Sequence, residues 1–175
     1  LRSLEDLIVG HKVIIFCNDQ EIARDVTLYL RIHAAYNICH HNPDKHETKE
    51  IMGPEDEKEN WRQFLYSNDH PVLVCGDIAE EGLNLQGGNK CIIHFDLPFN
   101  PNRIEQRIGR LDRFGDNEKI KSFVIRCTDD PYEMAWSKVL DKGLSVFDRS
   151  IASLQYIIEE QLEKTRSNFL NEGED

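Results

Sequence analysis

The sequence is 175 residues long, 39% hydrophobic and 30% charged, with a formal net charge of −11. That length suffices for one domain with a real core, and the composition is that of an ordinary globular chain. It excludes a membrane span, because no apolar run approaches the ~18 residues one needs, and its acidity argues against a generally basic nucleic-acid-binding surface.

The first six residues, Leu1 to Asp6, carry no basic segment followed by an apolar stretch, so no signal peptide is expected. The chain also opens without an initiator Met, and is expected to be a piece of a longer polypeptide. Lys12 to Cys17 is a continuous, β-branched apolar run ending at Asn18-Asp19, the pattern of a parallel strand buried on both faces. Asp19 is placed to cap a following helix in which Ile22, Ala23, Val26 and Leu30 keep helical spacing. Tyr36 to Cys39 predicts a second strand. His40 to Pro54, rich in charge with Pro and Gly, predicts a loop. Glu55 to Tyr66 predicts a helix with Trp61, Phe64 and Leu65 on its inner face.

Pro71 to Cys75 is a third strand ending at Gly76-Asp77, and Cys91 to Phe95 a fourth ending at Asp96. Pro101 to Arg113 predicts a helix with Pro in its first turn. Ile120 to Cys127 predicts a fifth strand, and Tyr132 to Val146 and Arg149 to Phe169 two amphipathic helices. In the first of these, Trp136, Val139, Leu140, Leu144 and Phe147 form a stripe expected to pack in the core. Strands alternating with helices indicate an α/β fold with a parallel doubly wound sheet, whose ligands bind at the carboxyl ends of the strands. Asn18, Gly76, Asp77 and Asp96 all fall at those ends.

The five cysteines (Cys17, Cys39, Cys75, Cys91 and Cys127) form no C-x-x-C pair, and each lies in or beside a different strand-like run. Buried free thiols in a reducing cytoplasm are expected, rather than disulfides or a metal site. His40, His41 and His46 have no matching Cys or acidic pattern and read as loop histidines.

Charge is unevenly spread. Asp44 to Glu59 holds seven acids against three Lys, and Glu159 to Asp175 six against two basic residues. Arg103 to Arg126 instead carries seven Lys/Arg against four acids. Within it, Arg110 and Arg113 are three apart, which on a helix puts them on one face. Two planar guanidinium groups aimed into a cleft suit the charge developing on a transferring phosphoryl group. Alone, that spacing favours a solvated face paired with Glu105, Asp112 and Asp116.

The wider wording decides between the two. Gln106 to Gly115, read Q-R-I-G-R-L-D-R-F-G, closely resembles motif VI of superfamily 2 helicases and translocases. Val72 to Leu85 resembles motif V, Phe95 to Pro101 resembles the corresponding segment of the Swi/Snf branch, and Lys12 to Asn18 resembles motif IV more loosely. The D-L-P-F-N-P and L-D-R-F-G wording is most similar to bacterial RNA-polymerase-associated recycling ATPases. The resemblance implies a C-terminal RecA-like lobe over residues 1–128, with a helical extension over 129–175. It implies Arg110 and Arg113 as arginine fingers, with Gln106 orienting the site near the phosphates. Gly82, Asn84 and Gly109 would lie against the nucleotide, and Asn18, Gly76 and Asp77 along the nucleic-acid backbone. Gly82 and Gly109 also suit plain turn or packing roles. The implied ligands are ATP and Mg²⁺, held mainly by an N-terminal RecA-like lobe of the same polypeptide. The implied partners are double-stranded DNA or other nucleic acid, and RNA polymerase or another protein complex, in the cytoplasm or nucleoid.

One position departs from the pattern: Gly76 stands where the family usually has Ser or Thr, whose hydroxyl donates to a phosphate. No G-x-x-x-x-G-K-[ST] loop is present, and Asp56-Glu57 follows no apolar strand, so this chain alone is expected not to hydrolyse ATP. Two other readings share the fold: a RecA-like binding module without motor activity, and a DEAD-box-like RNA helicase. The constellation of Gln106, Arg110 and Arg113 speaks against the first, and Gly82-Leu83-Asn84 with D-L-P-F-N-P against the second.

Overall fold

The computed structural model describes residues 2–41, 60–112 and 120–147. The five predicted strands are β1 (Lys12–Phe16), β2 (Ile38–His41), β3 (Val72–Cys75), β4 (Lys90–His94) and β5 (Lys121–Val124). They form one sheet in the order β2-β3-β1-β4-β5, with every pairing parallel. In register, Ile14 lies between Leu73 and Ile92, and Phe16 between Cys75 and His94. Successive residues of β1 enter opposite faces, and both faces are apolar. Ile14 and Phe16 join Leu73, Cys75, Ile92, Phe64 and Leu85 on one side. Val13, Ile15 and Cys17 join Val72, Val74, Cys91, Ala23 and Leu30 on the other. Burial on both faces is why these strands read as unbroken apolar runs rather than alternating ones.

The helices are α1 (Arg2–Ile8), α2 (Gln20–His33), α3 (Asn60–Tyr66), α4 (Ala79–Gly82), α5 (Pro101–Gly109) and α6 (Pro131–Lys138). Asp19 caps α2 as expected, its Oδ1 accepting the Ile22 N–H at 2.8 Å. Asn100 and Asp130 cap α5 and α6, each followed by Pro in the first turn. Lys12 closes α3 from across the sheet: its ammonium donates to the carbonyls of Phe64, Leu65 (3.0 Å) and Ser67 (3.0 Å). Burial pushes the Lys12 pKa down. Before β4 the chain turns through Gly87 and Gly88, whose φ of 81° and 74° lie in the left-handed region.

Several boundaries move. The second strand starts at Ile38 and takes in His40 and His41, which pair with Val74 and Cys75 instead of lying in a loop. His40 is buried there, so edge-strand pairing overrides its polar composition. The fifth strand is only Lys121–Val124, because β4 ends opposite it at His94. The helix predicted over 132–146 gives way at Val139 to a π turn over Val139–Gly143. From the predicted stripe Leu140 is buried, beside Val146, with Trp136, Leu144 and Phe147 packed around them, while Val139 is exposed. Helices α1 and α4 have no counterpart in the sequence reading. Residues 55–59 of the helix predicted over 55–66, His46, and the helix over 149–169 lie outside the described residues. Among the described residues, no helix is long and apolar enough to cross a membrane. All five thiols are free and all but Cys127 are buried; burial pushes Cys17 up to about 12 and Cys91 to about 11, so neither is a nucleophile at neutral pH.

Candidate functional site

The carboxyl edge of the sheet gathers Asn18 after β1, Gly76-Asp77 after β3 and Asp96 after β4, as the alternation predicted. Against this edge lie α4 and α5, joined by a polar cluster centred on Glu80. Its carboxylate, 3% exposed, accepts from Arg103 Nε at 2.7 Å and Arg103 Nη2 at 3.0 Å, and from Arg107 Nε at 2.7 Å. Arg107, with no exposed surface, also donates to Asn18 Oδ1 at 3.0 Å and to the Asp96 carbonyl at 3.1 Å. Arg103 adds a bond to the Asn18 carbonyl at 2.9 Å. Arg103 and Arg107 are one helical turn apart, which is how one carboxylate holds both.

The electrostatics follow from this packing. Burial alone disfavours the Arg103 charge, but the Glu80 bond and charge outweigh it and raise the pKa above its ordinary value. Complete burial pushes the Arg107 pKa down against the same partner, yet a guanidinium stays charged at any physiological pH. Burial raises Asp96, and Arg107 Nη2, 3.9 Å away, opposes it.

Beyond this cluster the site opens. Asp77, Ile78, Glu80, Glu81, Gly82, Arg103 and Gln106 line a cleft of about 560 Å³. Gln106 is exposed on it, and Arg110 stands at the end of α5 with its Nε buried and without a partner among the described residues. The helix does not continue to Arg113. It ends at Gly109, with Arg110 as C-cap; the Leu85 N–H captures the Arg110 carbonyl at 3.0 Å, and Leu111 turns into the core. The helix thus stops short of the predicted end at Arg113, which lies outside the described residues.

Each remaining predicted residue has a definite setting. A Cβ added at Gly82 or Gly109 would meet nothing within 4 Å, and neither has a positive φ. Neither turn geometry nor packing demands glycine there, while both leave backbone open to a ligand. Asn84 is exposed, its Oδ1 accepting from the Gln86 N–H at 3.2 Å. Asp77 is exposed at the cleft. The Asn18 side chain is turned inward, accepting from Arg107 and donating to the Leu97 carbonyl at 3.4 Å. Gly76 is buried because the Gln20 carboxamide occupies the space a side chain would need. Gln20 Nε2 donates to the His41 carbonyl at 2.6 Å, and its Oε1 has no partner.

Sequence reasoning missed Glu80 and the structural role of Arg103 and Arg107. Two arginines of the basic stretch face a buried acid 23 and 27 positions away. An acid two residues before Gly82, beside arginines four apart, is the signal that was present. No group of three or more His, Cys, Asp or Glu among the described residues is placed to hold a metal ion. The donors that remain, Gln106 and Arg110, suit phosphate oxygens instead.

Comparison with known proteins agrees with this fold. The family described as helicase conserved C-terminal domain matches residues 1–115. RNA polymerase-associated protein RapA of Yersinia pestis (strain Pestoides F) is 30% identical over 143 residues, covering 81% of this chain and 14% of that protein. The RapA of Vibrio parahaemolyticus is 45% identical over 78 residues, covering 43% of this chain and 8% of that protein. The chain thus spans only a small part of these relatives. Among solved structures, the C-terminal part of the Fun30 ATPase domain matches with a TM-score of 0.58 at 18% identity, covering 95% of this chain and 52% of that one. The Mycobacterium smegmatis helicase Lhr, bound to ssDNA and AMP-PNP, matches with a TM-score of 0.58 at 19% identity, covering 84% of this chain and 19% of that one. The parallel five-stranded sheet is a RecA-like lobe, and the chain belongs to the helicase conserved C-terminal domain family.

Proposed function

We propose that this chain is the second motor lobe of an ATP-dependent translocase acting on double-stranded DNA. Residues 1–128 form the lobe and 129–175 its helical extension. The observation that carries the reading is Arg110: a buried, unpartnered guanidinium Nε at the end of α5, beside an exposed Gln106, in a family of helicase domains. A buried cationic donor without a partner is costly to keep unless a ligand completes it. An ATP γ-phosphate presented by a P-loop lobe has the matching charge and acceptors.

In this reading Arg110 stabilises charge on the transferring phosphoryl group, Arg113 joins it as the second finger, and Gln106 orients the site. Gly82, Gly109 and Asn84 let backbone and amide approach the nucleotide, in support of which stand the open space at both glycines and the exposure of Asn84. Asp77, Gly76 and the backbone of Asn18 follow the nucleic-acid strand. ATP and Mg²⁺ are held mainly by the N-terminal lobe, and closing the two lobes, then opening them after hydrolysis, drives stepping. The relatives' name supports RNA polymerase as a partner and a cytoplasmic, nucleoid-associated setting.

The test is ATP turnover by the polypeptide carrying both lobes, with and without double-stranded DNA, beside Arg110→Ala and Arg113→Ala. DNA is expected to stimulate turnover, and Arg110→Ala to lower kcat by about 10² to 10³-fold without unfolding the protein. Absence of turnover, or wild-type rates in both variants, hands the site to the alternative, a RecA-like module that binds without hydrolysing.

A further inference from the structure

A helix of four residues cannot hold its own place. Helix α4 makes at most a turn, its N-cap Ile78 supplies no side-chain bond, and isolated turns of that length are unstable in water. Its position must come from outside, and two ties supply it. Near its start, Glu80 takes three charge-assisted bonds from Arg103 and Arg107 of α5. Past its end, the Leu85 N–H bonds the carbonyl of Arg110, the C-cap of α5. The segment from Asp77 to Leu85 is thereby fastened to α5 at both ends. The same two arginines reach Asn18 at the end of β1, through its carbonyl and its Oδ1.

We infer that Glu80 is a positioning residue that locks α4 to α5, so that a displacement at Asp77 carries Gln106 and Arg110 with it. The inference rests on the proposed motor role for its consequence in catalysis, and on the geometry alone for the lock itself. Asp77, Glu81 and Gln106 line one cleft together with Glu80 and Arg103, and Arg110 follows Gln106 one turn on, as the C-cap of α5. Removing the carboxylate charge leaves the two guanidinium groups with Asp96 as their shared acidic neighbour and Asp77 as a further one for Arg103. An amide at position 80 offers one acceptor where three donors converge. Helix α5 would then be free to shift on the sheet without α4.

The experiment compares Glu80→Gln with Arg103→Gln in the polypeptide carrying both lobes. Arg103→Gln removes two of the three bonds while keeping the buried Glu80–Arg107 pair, so it weakens the lock without leaving a buried charge unpaired, should Glu80→Gln prove unstable. Three quantities are read: DNA-stimulated kcat, KM for ATP, and amide hydrogen exchange across the lobe. The expected result is a loss of about tenfold in stimulated kcat with KM changed by less than about threefold. Exchange is expected to quicken in Ala79–Gly82 and Pro101–Gly109 together, while β1 and β3 stay protected. A merely structural residue would change exchange throughout the sheet instead. Stimulated turnover within about twofold of wild type in both variants, or quickened exchange in α4 with α5 unchanged, overturns the inference. Should the wild-type polypeptide show no turnover, the motor reading falls and exchange alone decides: joint loosening upholds the lock, and independent behaviour of the two helices removes it.

Discussion

Two halves of one short helix behave in opposite ways. The inner face of α5 presents Arg103 and Arg107, and every donor direction recorded for them ends on Glu80, Asn18 or Asp96. Its outer face and end present Gln106 and Arg110, the first exposed and the second with a buried Nε that nothing described satisfies. Four residues of similar chemistry therefore divide into a closed group and an open one. A guanidinium with all its partners in the fold holds a wall in place, whereas one left short of partners awaits a ligand. Counting arginines in a basic stretch does not separate these roles; their neighbours do.

The largest expected effect breaks the closed group. Arg107→Met removes a fully buried cation and leaves Glu80, 3% exposed, facing Arg103 alone. Removing one partner of a buried pair costs about 3–5 kcal/mol, because the other charge stays desolvated. Urea unfolding should show that loss as a lower midpoint at unchanged slope. Arg110→Ala in the same assay should move stability by less than about 1 kcal/mol, as its Nε gives up no bond. Equal losses in the two variants would erase the distinction between the groups.

That distinction also marks where the sequence stops being legible. The sheet was readable from Val13-Ile14-Ile15-Phe16 and its counterparts, since strands buried on both faces leave continuous apolar runs. The caps at Asp19 and the Pro at position 101 were readable for local reasons. The end of α5 was not, because it is set by Leu85, 25 positions earlier, taking the Arg110 carbonyl. Nor was the pairing of Glu80 with Arg103 and Arg107, which depends on α4 and α5 meeting across the sheet edge. The choice of Gly76 is likewise non-local: it is dictated by Gln20, the first residue of α2, leaning over the end of β3. Periodicity reports what each segment buries, and it is silent on which buried polar groups find one another.

A second expected effect sharpens the comparison through pH. His94 closes β4 beside the closed group, fully buried, with Nε2 3.0 Å from Ser122 Oγ and its ring edge-on to Phe147. Burial, with the nearby Arg107 charge, lowers its pKa from 6.5 to about 3. The unfolded chain therefore takes up the proton first. His94 contributes its full stability above pH 6.5, and loses it progressively as pH falls toward 3. At pH 5 the loss from this one group is about 2 kcal/mol. Unfolding free energies of the wild type and His94→Gln, measured from pH 7 to pH 5, should converge by that amount as the solution is acidified. Parallel curves would mean that the ring is already protonated or already solvated in the fold, and that the wall tolerates a third cation.

The smallest expected effect tests whether the closed group extends to β3. The Cβ of a serine at position 76 would collide with the Gln20 carboxamide and lie 3.0 Å from the Gln20 Cα. Gly76→Ser must therefore swing the Gln20 side chain out, breaking its 2.6 Å bond to the His41 carbonyl at the end of edge strand β2. The expected cost is about 1 kcal/mol, the net worth of one such hydrogen bond. Gln20→Ala alone should cost a similar amount through the same bond. In the double variant the second change has nothing left to disrupt, so the two losses should fall short of adding by about 1 kcal/mol. Strict additivity would show that glycine and glutamine occupy their places independently. Coupling would show that an amide has taken over the volume of a side chain at position 76, and that a hydroxyl can be restored there only when Gln20 is removed as well.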